Sequence, residues 1–532
     1  MFRVSGLQPT MEFDVVIAGG GFAGAYCGRA LGRAFAKGEG EKRVALIAEQ
    51  NVLVFQPMIP EVAGSSLAPL DVVNPLRQFC RNVNVLQGTI QKINWAEKTI
   101  LMDGGRFTRD HTVGFRHLVM ALGSVTNLAS VPGMSEYGWP MRNVADAIRL
   151  RAAIINRLEE ANLVEDDATR DRLLTFVVVG GGYTGVETAG QMLDFVKQAI
   201  RLYANLEEAK FRIVLVHSRD ELLQEIGPKL GAYARKVLTE RGVEIILNTK
   251  VSAVTFHRVV LDKGEGIECN TVVTSVGNAP NPVLMDLCKQ IGIEAPKGRV
   301  PTAPTMRVAG IETLWAAGDG AAVPWNDKGV TKVSPGTAQF AFRQGELLGK
   351  NVFAALSGHE PQPFKYTYLG QLAVIGERQA VAEIFGFHFK GFLAWWMWRS
   401  IYLAKLPGIA RKLRVMIDWT FDLVFPRDIS QIMPPAIDLV RSIHLEKGET
   451  LFTQGTPCRG FFYIKEGSLT ISVKGLPDRV VPKGTVIDQA ELDSSNLWEA
   501  TGTAAEASDL LVFRGRLLEY LRKELKLTKR TS

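Results

Sequence analysis

Asp14-Val-Val-Ile-Ala-Gly-Gly-Gly-Phe-Ala-Gly24 is the stretch that decides the fold. Val15 to Ala18 is an apolar run, which predicts a buried parallel strand. It leads into Gly19-Gly-Gly21-Phe-Ala-Gly24, and Ala23 to Phe35 reads as a helix. In a strand–turn–helix setting each glycine has a task. Gly19 permits the tight turn, Gly21 lets backbone approach a pyrophosphate, and Gly24 packs helix on strand. The helix N-terminus adds free N–H groups and about +0.5 of charge. A glycine turn without a ligand is the plainer reading of one such motif. The chain repeats it, however, in Leu173-Leu-Thr-Phe-Val-Val-Val-Gly180-Gly-Gly182-Tyr-Thr-Gly185-Val-Glu187. Two copies about 160 residues apart predict two Rossmann-type units holding two dinucleotides, an α/β fold.

Working outward, Val44-Ala-Leu-Ile-Ala48 predicts the next strand, with Glu49 at its end. A carboxylate at that distance from Gly24 suits an adenosine ribose; a solvated loop acid is the alternative. After the second turn, Phe211-Arg-Ile-Val-Leu-Val216 ends instead in His217-Ser-Arg219, with no acid. His217 is equally readable as a strand-end polar residue and as a cofactor contact. His117-Leu-Val-Met-Ala-Leu-Gly123, Thr271-Val-Val-Thr-Ser-Val-Gly277 and Thr313-Leu-Trp-Ala-Ala-Gly318-Asp319 are further apolar strands ending in glycine. Glu61 to Pro75 reads as irregular.

The chain has 532 residues, 46% hydrophobic and 22% charged, enough for three or more domains. Its five cysteines include no C-x-x-C, which argues against a disulfide framework and against a flavin dithiol. The histidines do not cluster, so no metal is expected, and nothing points to a nucleic-acid partner. Met1 to Phe13 has no apolar core and is not expected to be a signal peptide.

Taken together, Gly180-Gly-Gly-Tyr-Thr-Gly-Val-Glu187, Gly123-Ser-Val-Thr-Asn127, Ala317-Gly-Asp319 and Ala338-Gln339-Phe-Ala-Phe-Arg343-Gln344-Gly345 carry a resemblance. The chain from about 12 to 430 resembles the type II, non-proton-pumping NADH:quinone oxidoreductases. The resemblance implies FAD on the first unit, with Gly123, Gly318 and Asp319 completing its site and Asp319 at the ribityl chain. It implies NADH, with NADPH possible, on the second unit with Gly277. Glu187 then stands near nicotinamide and flavin, and Gln339 and Gln344 line the quinone pocket. An acid stabilised in a helix's first turn is the alternative for Glu187. The family's K-D-K-G segment is replaced here by Thr367-Tyr-Leu-Gly370. The implied domains are FAD-binding (12–135 and 280–365), NAD(P)H-binding (136–279), membrane-associating (366–430) and C-terminal (431–532). A homodimer on the cytoplasmic face of the cell membrane is expected. The rivals are a sulfide:quinone reductase, which needs redox cysteines by the flavin, and a flavin or nucleotide sensor.

Phe387 to Arg427 holds four of the nine tryptophans and seven basic residues against Asp418 and Asp422. Arg411, Arg414, Asp418 and Asp422 form one helical stripe, while Leu413, Met416, Ile417, Phe421 and Val424 face elsewhere. Basic flanks with Trp395, Trp396 and Trp398 predict a helix lying in the membrane interface; a helix packed on the protein's own core is the alternative. From Arg441 short strands and glycine turns resemble a cyclic-nucleotide-binding β-roll, closed by a helix over 517–526. The partner of this roll is not readable. Its phosphate cassette corresponds to Thr485-Val-Ile-Asp-Gln-Ala490, and no arginine occurs between Arg479 and Arg514. It is therefore not expected to bind a cyclic nucleotide in the usual way.

Overall fold

The computed structural model describes residues 11–36, 43–105, 111–206, 208–276, 278–327, 329–431, 440–456, 460–487 and 498–514. Gly277, the second half of the expected cassette (488–490) and the expected closing helix lie outside them.

Met11–Ala18 is the central strand of the first sheet, flanked by Val44–Ala48 and His111–Met120 in parallel, with Val15 opposite both Val44 and His117. Asn84–Gln87 extends one side, Leu314–Ala316 joins His111–Met120, and an antiparallel pair, Thr99–Asp103 and Thr89–Asn94, completes the sheet. The second sheet is wholly parallel, in the order Gly138–Pro140, Thr271–Thr274, Thr175–Val179, Arg212–Val216 and Val243–Ile246. Every residue of Val44–Ala48 and of Thr175–Val179 is buried, as strands covered on both faces require. The two glycine turns sit at the carboxyl ends of their strands, where open α/β sheets bind ligands. The molecule is thus a mixed α/β protein with two dinucleotide-binding units.

The region expected to be irregular contains the Ile59–Ala63 helix and the Val73–Pro75 strand, the latter paired with Val52–Val54. Paired short segments of this kind carry no periodicity that a sequence reveals. Three antiparallel strands, Gly370–Gly376, Gln379–Ile384 and Phe387–Lys390, follow the long helix Ala338–Leu356. They pack beneath the helices Tyr183–Ala199 and Gly391–Lys405. A Cβ on Gly190 would stand 2.3 Å from the Ile375 carbonyl oxygen, so helix and strand backbones touch there. No helix among the described residues is long and apolar enough to cross a membrane.

The C-terminal strands form two four-stranded antiparallel sheets. They are fastened to the second unit. The Tyr137 hydroxyl accepts from the His444 N–H at 2.7 Å and donates to its carbonyl at 3.2 Å. Glu449 meets Thr255 and Arg258.

Candidate functional site

Both turns show the same backbone demands. Gly19 has φ +112° and Gly180 has φ +111°, in the region that favours glycine. A Cβ on Gly24 would lie 1.8 Å from the Gly19 carbonyl oxygen, and one on Gly185 would lie 1.8 Å from that of Gly180. Nothing stands within 4 Å of a Cβ built on Gly21, Gly182 or Gly123. Two cradles therefore open in front of two helix N-termini, shaped for anionic groups.

Around the first cradle, Gly318 has φ +75° and its N–H donates to Gln344 Oε1 at 2.8 Å. Gln344 Nε2 donates to Ser334 Oγ at 2.8 Å, so this buried amide is engaged at both ends and braces the Gly318–Asp319 turn. Asp319 is reached by solvent at the floor of the cleft, yet protein surrounds most of its carboxyl and pushes its pKa up, while Arg299 and Arg142 pull it back. Arg142 faces Asp319, Asp146 and Glu49 together and donates to Thr126 Oγ1 at 3.3 Å. It links the two acids expected at the flavin nucleotide, and no feature of the sequence singled it out.

At the second cradle, the Gly181 N–H donates to His217 Nδ1 at 3.0 Å. Burial, and then Arg219, lower the His217 pKa, which keeps the imidazole neutral and able to accept. His217 thus fills the strand-end position with a neutral ring that holds the turn.

Tyr183 and Glu187 rise from the first turns of the second helix. Glu187 is buried; its Oε1 accepts from the Val374 N–H at 3.1 Å, and the Trp398 indole N–H lies nearby without reaching hydrogen-bond geometry. Burial pushes its pKa up to about 8, the Val374 N–H lowers it and the Glu61 charge raises it further. Glu61 is itself buried, accepts from Trp419 Nε1 at 3.2 Å, and is pushed by burial to about 7 against the pull of Arg399. Sequence reasoning missed Glu61, a lone acid in an apparently irregular stretch.

The Ala338–Leu356 helix brings the other side. Gln339 Nε2 donates to the Gly370 carbonyl at 3.2 Å, and the Tyr366 hydroxyl donates to Gln339 Oε1 at 2.9 Å. Tyr183 bonds Gln371 Oε1 through its hydroxyl. Gly370, the last residue of the Thr367 to Gly370 departure, and Gln371 after it therefore tie Gln339 to the second glycine turn. Arg343 lies over Phe342 and Tyr366, at 4.4 and 4.2 Å from the ring centroids. Tyr26 packs on Phe79 and Phe342, and Phe55 on Phe22 and Tyr402, giving an aromatic wall on the same side.

The helices Gly391–Lys405 and Ile409–Phe421 correct one expectation. Trp395, Trp398 and Trp419 are buried, and Arg399 stacks between Trp395 and Trp419; only Trp396, 57% exposed, faces out. The acids of the second helix's polar stripe also turn toward the protein: Asp418 accepts from the Ala68 N–H at 3.0 Å and Asp422 pairs with Arg427 at 3.0 Å, while Arg414, 3.7 Å from Asp71, stays largely exposed. The apolar stripe is what solvent meets: Leu413, Met416, Ile417, Phe421 and Val424 are all exposed.

Comparison with known proteins gives the family. Residues 13–345 match the pyridine nucleotide-disulphide oxidoreductase family, 368–428 the NDH2 C-terminal domain and 442–524 the cyclic nucleotide-binding domain. The type II NADH:quinone oxidoreductase Ndh of Mycobacterium tuberculosis is 30% identical over 79% of this chain and 90% of its own length. An external alternative NADH-ubiquinone oxidoreductase of Yarrowia lipolytica is 26% identical over 73% of this chain and 76% of its own length. The structure of NDH2 from Plasmodium falciparum in complex with NADH superposes with TM-score 0.72 at 18% identity, covering 79% of this chain and 99% of that one. The sulfide:quinone oxidoreductase of Aquifex aeolicus shares the fold, with TM-score 0.57 at 15% identity over 80% of this chain and 99% of that one. The chain belongs to the type II NADH:quinone oxidoreductases, and is an FAD-dependent enzyme that oxidises NADH and reduces quinone.

Proposed function

We propose that FAD lies in the first cradle, with its pyrophosphate at Gly19, Gly21 and Gly24, Glu49 on a ribose and Asp319 on the ribityl chain, and that NADH lies in the second, at Gly180, Gly182 and Gly185. What supports this is the open space at Gly21 and Gly182, which a larger residue would fill, and a half-enclosed Asp319 carboxyl flanked by Arg142 and Arg299. FAD, when bound, takes hydride from the nicotinamide and hands two electrons to quinone. The protein positions the partners, excludes water and manages protons.

The carrying observation is the Gly370–Gln371 tie, which sets Gln339 and Tyr183 against one another across a single backbone step. Gln339, held by Tyr366, presents the quinone-facing edge. Gln344, with both amide ends engaged, acts as a positioning residue for Asp319. Glu187, with its pKa near 8, holds a proton at neutral pH beside the expected reaction centre. Glu61 is the nearby acid whose charge raises that pKa further.

The outward apolar stripe, flanked by Lys390, Arg411, Lys412 and Arg414, supports peripheral seating on a membrane along 387–427 within the unit 366–430. We assign that seating to the cytoplasmic face and the working state to a homodimer. We read the C-terminal unit assigned to 431–532 as a β-roll that takes no cyclic nucleotide in the usual way. Sulfide chemistry is disfavoured, because the four described cysteines are buried and burial pushes the Cys80 and Cys269 thiols up to about 12.

The test is steady-state turnover with a water-soluble quinone. NADH should support it and sulfide should not; the reverse result overturns the assignment. Replacing Leu413, Met416 and Ile417 with serine should release enzyme from membranes and keep soluble-quinone turnover, since each buried apolar side chain is worth about 1.5–3 kcal/mol.

A further inference from the structure

A groove of about 1320 Å³ runs between the Phe22–Phe35 helix, the backbone around Asn74 to Asn82, and residues 404–412, where the Gly391–Lys405 helix turns into the Ile409–Phe421 helix. Its walls carry Arg29, Arg33, Arg81, Lys405, Arg411 and Lys412, together with Lys350. The single acid on those walls is Glu346, already paired with Lys350 at 3.3 Å. Six like charges thus share one concave surface with no carboxylate between them, an arrangement that costs free energy unless an anion enters.

A second observation points into the same groove. Asn74 is 5% exposed, and its Nδ2 has no hydrogen-bond partner. The guanidinium Nε of Arg411 is likewise buried without a partner. A buried amide N–H without an acceptor is a standing cost that a ligand oxygen removes. Cations, a spare amide donor and a spare guanidinium N–H together describe a receptor for a phosphate oxygen.

The rim of the groove is apolar on one side. Ile409 lines it and is 78% exposed, and Leu413, Met416 and Ile417 continue the stripe outward. A water-soluble anion gains nothing from that stripe. We propose that the groove binds the phosphate headgroup of an anionic phospholipid, whose acyl chains lie along Ile409, Leu413 and Met416. The proposal rests on the membrane seating proposed above and adds to it one specific lipid site beside the aromatic wall of Tyr26 and Phe79. The lipid would fix the enzyme's orientation where an apolar quinone arrives.

The test uses full-length, FAD-loaded enzyme and has two arms. In the first, native mass spectrometry from neutral detergent should retain one phosphatidylglycerol on the wild type and none on Asn74→Leu or on Arg33→Glu/Lys412→Glu. In the second, flotation should favour vesicles containing phosphatidylglycerol over pure phosphatidylcholine by at least about tenfold for the wild type. Both groove variants should lose most of that preference, keep neutral-vesicle binding and keep turnover with a soluble quinone. Lys390→Glu, outside the groove, serves as the control for diffuse surface charge. If the groove variants behave like that control and still retain lipid, the site is overturned. The lipid assignment also fails if inorganic phosphate alone raises the melting temperature as much as phosphatidylglycerol does and displaces the retained lipid. An enzyme that floats with neither vesicle type sinks the membrane reading instead, and lipid retention in detergent still decides the groove.

Discussion

The two glycine turns are nearly the same object used twice, and their differences locate the chemistry. Both fix a left-handed glycine after an apolar strand, both bring the third glycine against the first glycine's carbonyl, and both leave the middle glycine facing open space. Two residues past the third glycine they diverge. The first helix places Tyr26 there, packed among Phe79 and Phe342. The second places Glu187, buried and raised to about 8. At the end of the next strand the first unit offers Glu49 and the second offers His217. On the proposed assignment a shared backbone holds a pyrophosphate in either case, and the side chains at these two offsets separate a resident cofactor from one that comes and goes.

The largest effect should come from breaking the shared part. Gly24→Ala and Gly185→Ala each drive a methyl to within 1.8 Å of a carbonyl oxygen, closer than any contact tolerates, so helix and strand must part. Gly24→Ala should purify colourless. Gly185→Ala should purify yellow and be bleached by dithionite, while its reduction by NADH is lost. An absorbance spectrum with each reductant reads both. A colourless Gly185→Ala that folds and takes up no FAD would reverse the assignment of the two cradles.

Much of this comparison is legible in the sequence because positive-φ glycines and close backbone contacts admit no other residue. Gly19, Gly24, Gly180 and Gly185 are there for reasons that do not depend on tertiary context. The same is not true of the helix at Ile409–Phe421. Periodicity separates its polar stripe from its apolar one, but it does not say which stripe faces the protein. Here Asp418 and Asp422 find partners inside, Arg414 reaches Asp71 from the surface, and the apolar stripe turns out. The tryptophans misled for a related reason: an indole suits an interface and a core alike, and Trp398 is 1% exposed. Arg142 and Glu61 were invisible because a single charged residue declares itself only through its neighbours, which come from distant parts of the chain.

The next effect concerns Glu187 against Tyr26. Glu187→Gln keeps the shape and an acceptor for the Val374 N–H but removes the proton site. It should slow flavin reduction or quinone turnover by about tenfold or more, with FAD retained. Unchanged stopped-flow and steady-state rates would reduce Glu187 to a structural acid. The pH dependence gives a second readout. The folded-state pKa is raised from 4.5 to about 8, so this carboxyl's contribution to stability is present at low pH and lost as pH climbs from about 4.5 through 8. The wild-type melting temperature should therefore fall between pH 6 and pH 9 more steeply than that of Glu187→Gln, and equal slopes would contradict the buried-acid account.

The smallest effect tests the strand ends, and it sharpens the comparison most. A carboxylate at this offset repels a 2′-phosphate, as Glu49 would in the first unit; His217 carries no charge to do so and leaves Arg219 nearby. NADH should be preferred over NADPH, but by a narrow margin in kcat/KM. His217→Glu should widen that margin by about tenfold, mostly through loss of NADPH activity, because a single unscreened like-charge contact near the surface is worth roughly that factor. The replacement still offers an acceptor to the Gly181 N–H, so the turn should hold and NADH activity should change little. His217→Leu separates the two roles. It removes the acceptor without adding charge, and should weaken both cofactors alike, by leaving the Gly181 N–H with no partner in the protein. If His217→Glu leaves the NADH-to-NADPH ratio where it was, the ribose end of the second cradle does not lie at this strand, and the likeness between the two units ends at the glycines.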